Sequence, residues 1–325
     1  MSVRVAISMG DPAGIGPEII LRVLQRPTPG ISPRVFGSRL IFTRAAARLG
    51  LNPNPPGVVW VETTGPEDKP EEVEPGNTDA RAGAMSVSAL EKAMEVVVMG
   101  RADALVTAPI TKASARAGGF PFPGHTEFLA HRCGVADTAM MLAGPSLRVV
   151  PLTGHVPLSA VSECIDVGLV RDTILLTVET LTRDLGISRP RVALAGLNPH
   201  AGEQGMLGYE EEDLLAPGLA LAQEALEKTD ARARLEGPLP ADGLFVSDSI
   251  WDAIVCAYHD QAMIPIKILH RDDAVNHTLG LPIVRTSPAH GSALDIAARG
   301  GARPDSMAAA IKMAVEIVRR RQRAG

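Results

Sequence analysis

The chain has 325 residues, 46% of them hydrophobic and 21% charged, with a formal net charge of −5 at pH 7. That supplies enough apolar sequence for a sizeable core and enough length for two domains. The acidic balance excludes broad nucleic-acid binding, which needs a concentrated basic surface, and no apolar run approaches the ~20 residues of a membrane helix, so neither nucleic acid nor membrane is an expected partner.

Val3 to Met9 alternates like a strand and lacks the long apolar stretch of a signal peptide. GDPAGIGPE follows at residues 10–18. Its glycines permit tight turns and its Pro17 and Glu18 suit a helix start, but it does not match the GxGxxG dinucleotide fingerprint. It therefore reads as a strand-to-helix turn, and no nicotinamide-binding residue can be named. Further strand-like runs occupy 58–61, 104–107, 139–143, 147–152, 192–195 and 253–257, and helical apolar spacing marks 85–99, 166–185 and 305–321. Such alternation predicts an α/β fold with a largely parallel sheet. TTGPEDKPEEVEPGNTD, from Thr63 to Asp79, reads as an exposed connection. The domain cut is placed near residue 136, giving a first α/β domain of 1–135 plus 300–325 and a second of 136–299. Cys133, Cys164 and Cys256 are widely spaced and form no CxxC pair; this argues against a disulfide framework and makes a reducing cytoplasm the expected compartment. Arg319, Arg320, Arg321 and Arg323 end a helical pattern, where the helix dipole accounts for them.

Three histidines follow apolar runs and precede turn-like sequence: His155 in LTGHVPLS, His200 in LNPHAGEQG and His259 in AYHDQAMIPIK. In an α/β fold these positions gather at the carboxyl ends of strands, where three imidazoles could converge on a divalent metal and leave coordination positions open. Taken singly, each is an ordinary hydrogen-bonded loop histidine. His277 and His290 stand in the same half, and the residues alone do not choose the ligands. In GHTE, Thr126 or a neighbour is placed to cap a helix whose amides, with His125, face a phosphate or carboxylate; a mere cap is the competing reading. Lys267 and Arg285 sit in apolar sequence, which favours anion recognition or an internal ion pair over a solvated charge. Asp242 ends the rigid turn GPLPAD, as a proton-transfer group or a helix cap.

Together GDPAGIGPE, TAPITK, GHTEF, LNPHAGE, GPLPAD, YHDQ, IPIK and VNHTLGLPIVRTS, in that order from residue 10 to about 295, resemble the 4-hydroxythreonine-4-phosphate dehydrogenase family of pyridoxal 5'-phosphate (vitamin B6) biosynthesis. The resemblance implies a two-domain isocitrate/isopropylmalate-dehydrogenase-like α/β fold with an interdomain cleft, and a homodimer with active sites at the subunit interface. It implies metal ligation by His155, His200 and His259, with a dimer partner contributing to each site. Substrate contacts fall on His125, Thr126, Lys267, Asn276 and Arg285, and Lys267 and Asp242 become the candidates for proton transfer. The implied reaction is oxidation of 4-phosphooxy-L-threonine by NAD or NADP to a 3-oxo acid that decarboxylates to 3-amino-2-oxopropyl phosphate, with one zinc, cobalt or magnesium ion per site as Lewis acid. His277 after Asn276 and SPAHG in place of an SVDHG-like pattern depart from the family and bear on fine substrate preference. The alternatives are a dehydrogenase of a sugar-acid phosphate such as 4-phospho-D-threonate or erythronate, a metal-dependent phosphohydrolase, and a non-catalytic metal- or phosphate-binding dimer.

Overall fold

The computed structural model describes residues 2–229, 232–246 and 250–324. Along the chain come β1 (Val3–Ser8), α1 (Gly16–Leu24), β2 (Ile31–Gly37), α2 (Arg39–Leu49), β3 (Val59–Glu62), α3 (Ala80–Val98), β4 (Ala104–Thr107), α4 (Lys112–Ala117) and α5 (His125–Cys133). Next are β5 (Ala139–Ala143), β6 (Arg148–Pro151), α6 (Val161–Cys164), α7 (Val167–Arg183), β7 (Arg191–Ala195), α8 (Ala216–Lys228), β8 (Arg234–Leu239), β9 (Ala253–Cys256), α9 (His259–Leu269) and β10 (Val275–Leu279). β11 (Val284–Pro288) and α10 (Asp305–Ala324) close the chain. Two compact units result: Met1–Val135 with Leu281–Gln322, and Ala136–Gly280 with the last three residues. This division differs from the return at residue 300 read from the sequence, because β11 pairs in parallel with β4 and takes residues 284–288 into the first unit.

In the first unit the strand order is β3-β2-β1-β4-β11, every pair parallel. Its strands are apolar on both faces, with Val5, Ala6, Ile7, Val35, Leu105 and Val106 buried, as a parallel sheet covered by helices requires. α3 contributes the buried set Ala82, Met85, Ala89, Leu90, Ala93, Met94 and Val97 at helical spacing, and starts at Asp79, whose carboxylate accepts from the Arg81 amide. β2 escaped the sequence reading because Pro33 interrupts it. Pro33 lies opposite Val5 of β1 but before the stretch paired with β3, which begins at Arg34, so its missing N–H interrupts no ladder on that side.

In the second unit the order is β10-β5-β6-β9-β7-β8. β6, β9, β7 and β8 run parallel, whereas β5 pairs antiparallel with both β6 and β10, so the expectation of a largely parallel sheet holds for only part of this unit. α7, opened by Asp166 accepting from the Leu169 amide, buries Val170, Ile174, Val178 and Leu181. β8 also corrects the sequence reading. Gly237 and Pro238, read as part of a rigid turn, belong to a strand, because Leu239 pairs with Ala195 after a register shift. The three cysteines are free, and no helix among the described residues is long and apolar enough to cross a membrane.

Candidate active site

β6, β9 and β7 are consecutive parallel strands, and each runs into a segment bearing one of the three histidines. Backbone pairing persists past the strand ends, with the Leu152 amide donating to Cys256 O at 2.7 Å and the Thr153 amide and hydroxyl both donating to Ala257 O. This holds the two chain exits side by side and brings the His155 and His259 rings to 5.2 Å between centroids. His259 is the first residue of α9 rather than part of a turn, and its Nδ1 lies 2.6 Å from Asp260 Oδ1. A carboxylate on Nδ1 favours the tautomer in which Nε2 carries the free lone pair, as a metal-ligating imidazole needs.

His200 has φ 53° and lies in a left-handed run with Ala201, Gly202, Glu203 and Gln204. Such backbone persists only when its surroundings over-determine it. Here Asn198 does so, taking Glu211 through its amide at 2.7 Å and both Glu210 and Glu211 through its side chain. Among the described residues no three His, Cys, Asp or Glu side chains are grouped to hold a metal. One chain thus pairs His155 with His259 but does not assemble the three imidazoles expected to converge. The pair fits a zinc- or cobalt-type cation in chemistry and leaves its coordination incomplete.

Lys267 is exposed in the last turn of α9, which corrects the expectation from its apolar context: Ile264, Ile268 and Leu269 are exposed with it. Asn276 on β10 is half-buried, with Oδ1 buried and without a hydrogen-bond partner. Asp242 is exposed in the turn Ala241–Gly243. His277 is buried on β10 and lies 3.3 Å from the buried Asp184, so it is built into the interior.

Two anion-binding candidates of the first unit act on one another, Arg285 being near enough to oppose protonation of His125. Arg285 on β11 is only 2% exposed and donates from Nη2 to Thr107 Oγ1 at 2.7 Å, a contact set by the register of β11 on β4. Burial brings its guanidinium down to about 10, opposed by the Glu127 carboxylate, so it remains a cation at neutral pH. His125 opens α5 behind Gly124, which is the N-cap; Thr126 is therefore inside the first turn and does not cap the helix. His125 Nε2 is buried without a hydrogen-bond partner. Burial, then Arg285, then Lys112 hold its imidazole well below the ordinary value of 6.5, so it is neutral. Lys112, Thr107 and Glu127 are the participants sequence reasoning missed. The available signal was a lysine at the first position of a helix, against the dipole.

The glycines of GDPAGIGPE serve packing. A Cβ on Gly14 would stand 2.8 Å from Ser292 O, and one on Gly16 2.3 Å from Met9 O. The segment is buried, so it presents no open phosphate cradle.

Comparison with known proteins identifies the family. The model of the family described as pyridoxal phosphate biosynthetic protein PdxA matches residues 32–314. A 4-hydroxythreonine-4-phosphate dehydrogenase of Erythrobacter litoralis is 44% identical over 97% of each chain. Among solved structures, the 4-hydroxythreonine-4-phosphate dehydrogenase of Klebsiella pneumoniae superposes with a TM-score of 0.83 at 35% identity over 98% of each chain. A terephthalate 1,2-cis-dihydrodiol dehydrogenase of Burkholderia xenovorans gives 0.65 at 29% identity, covering 97% of this chain and 98% of its own. With a matching model over most of its length and a near-full-length relative at this identity, the chain belongs to the PdxA family of pyridoxal phosphate biosynthetic proteins.

Proposed function

We propose that the protein is a 4-hydroxythreonine-4-phosphate dehydrogenase, oxidising the C3 hydroxyl of 4-phosphooxy-L-threonine to a 3-oxo acid that loses carbon dioxide to give 3-amino-2-oxopropyl phosphate. The observation that carries this reading is the 44% identity, over 97% of each chain, to a relative of that name. The buried Arg285 with His125 and Thr126 supports it, since this cluster suits the substrate phosphate. Asn276, with its buried Oδ1, is assigned a hydrogen bond from the substrate amine or hydroxyl.

NAD or NADP, when bound, would supply the acceptor for the hydride leaving C3. A divalent ion at His155, His259 and a third imidazole, His200, would supply Lewis-acid polarisation of the reacting oxygen; imidazole ligands favour zinc or cobalt over magnesium, which prefers oxygen. Lys267 is assigned to receive the hydroxyl proton and to return a proton to carbon after carbon dioxide departs, and Asp242 to orient this exchange. Because one chain groups only two of the imidazoles, and Ile264, Ile268 and Leu269 expose apolar surface around Lys267, we infer a homodimer whose second copy covers α9 and completes the site. The free cysteines suit a reducing cytoplasm.

The test is nicotinamide reduction followed optically with 4-phosphooxy-L-threonine and either NAD+ or NADP+, beside 4-phospho-D-threonate and a chelator control. Chelator-sensitive reduction with the L-amino acid is expected. Turnover of the threonate alone would move the protein to sugar-acid phosphates, and phosphate release without nicotinamide would make it a hydrolase. Lys267→Ala is expected to lower kcat by roughly 10²–10⁴-fold, the usual range for a general base, with bound metal unchanged; an unaltered kcat would remove Lys267 from the proton path.

A further inference from the structure

The assigned substrate contacts leave out a cation that acts on the same ring. Lys112 opens α4, five residues past Thr107, the partner of Arg285. Its Cε lies 3.7 Å from where a Cβ on Gly124 would stand, and Glu127 Oε2 lies 3.3 Å from that same point, so the two side chains flank the backbone entry to α5 and His125. The Lys112 side chain is exposed, and it makes no hydrogen bond or ion pair among the described residues. Its position also opposes the helix dipole, so helix stability does not explain it. Helix α5 is long enough, at 9 residues, to present free amides at its start, and the His125 Nε2 atom is buried there without a hydrogen-bond partner.

Charge decides what this arrangement selects. Arg285 and Glu127 carry opposite unit charges that offset each other, and His125 is neutral because burial and both cations oppose its protonation. Without Lys112 the cluster is close to neutral; with it the cluster is positive. A phosphate monoester carries about −1.5 to −2 at pH 7, whereas a carboxylate carries a single charge. Resting on the reading that the substrate phosphate binds at His125 and Arg285, we propose that Lys112 is a specificity-determining residue whose ammonium makes this site select a phosphate dianion over a carboxylate. A flexible lysine is suited to the task, since it adds a point charge without imposing the planar fork that Arg285 already provides.

The experiment compares wild type, Lys112→Gln and Lys112→Arg in two assays. In the first, the His125 ring signal is followed by NMR while inorganic phosphate or acetate is added to the full-length protein. Wild type and Lys112→Arg are expected to bind phosphate well ahead of acetate, and Lys112→Gln to lose about tenfold to a hundredfold of phosphate affinity and with it the discrimination. In the same titrations the His125 signal of Lys112→Gln is expected to respond to pH at a higher value than in wild type, because one of the cations opposing its protonation is gone. In the second, KM for 4-phosphooxy-L-threonine rises by a similar factor in Lys112→Gln while KM for the nicotinamide coenzyme stays within about twofold. Equal phosphate binding by wild type and Lys112→Gln, or equal loss of phosphate and acetate, overturns the inference. If phosphate binding depends on Lys112 while the L-amino acid is not turned over, the inference stands and the substrate assignment falls.

Discussion

At the residue scale, His125 carries a pH signature in the stability of the protein. Burial, Arg285 and Lys112 keep its imidazole neutral in the native state, whereas the unfolded chain binds a proton near the ordinary value of 6.5. The folded pKa lies below the unfolded one, so this contribution is fully present above about 6.5 and is lost as pH falls from there toward the folded value. Urea denaturation of His125→Gln is therefore expected to show a shallower loss of stability between pH 7 and 5 than wild type. Equal slopes would assign the acid sensitivity to other groups. The residue scale is also where sequence reading divides most sharply. Arg285 and Lys267 have the same signature, a cation in apolar sequence, yet one is buried on a strand and the other exposed on a helix. Local composition does not report which face of an element meets solvent.

At the element scale, the cluster depends on α4 being pressed against α3. A Cβ on Gly83 of α3 would stand 1.8 Å from Ser114 O and 2.7 Å from the Ala115 amide nitrogen, so backbone meets backbone there and no side chain can yield. Gly83→Ala is expected to destabilise the protein by about 1–3 kcal/mol, as overpacking does, and to raise KM for the phosphorylated substrate because α4 carries Lys112. A lower urea midpoint with unchanged KM would mean that α4 holds its place independently of this contact. Strands with uninterrupted apolar runs, such as β4, β7 and β9, and helices with a clean buried stripe, such as α3 and α7, were legible from period and propensity. β2, β8, β10 and β11 were not. Pro33, the Gly237-Pro238 pair and the polar residues Asn276, His277, Arg285 and Thr286 break the apolar pattern, and these segments are strands because neighbouring strands pair with them.

At the scale of the whole molecule, the incomplete imidazole set and the apolar face of α9 lead to one expectation. Ile268 is 75% exposed beside Lys267. If the proposed homodimer forms through α9, Ile268→Glu is expected to give a monomer by light scattering and to bind less added zinc or cobalt than wild type, with the secondary structure of each chain intact. His200→Ala is expected to lose the metal while remaining dimeric; stoichiometric metal in that variant would remove His200 from the ligand set. The amino-acid sequence by itself determined the α/β class, the placement of each histidine beyond a strand and the membership carried by ordered motifs, because periodicity, turn chemistry and motif order are local or one-dimensional properties. Only the tertiary structure decided that β6, β9 and β7 are neighbours, that His155 meets His259 while no three ligand-type side chains are grouped among the described residues, and that Arg285 bonds Thr107 and acts with Lys112 on His125. Those facts arise from strand order and register, which are set by packing between segments as distant as Thr107 and Arg285 and leave no trace in the spacing of residues along the chain.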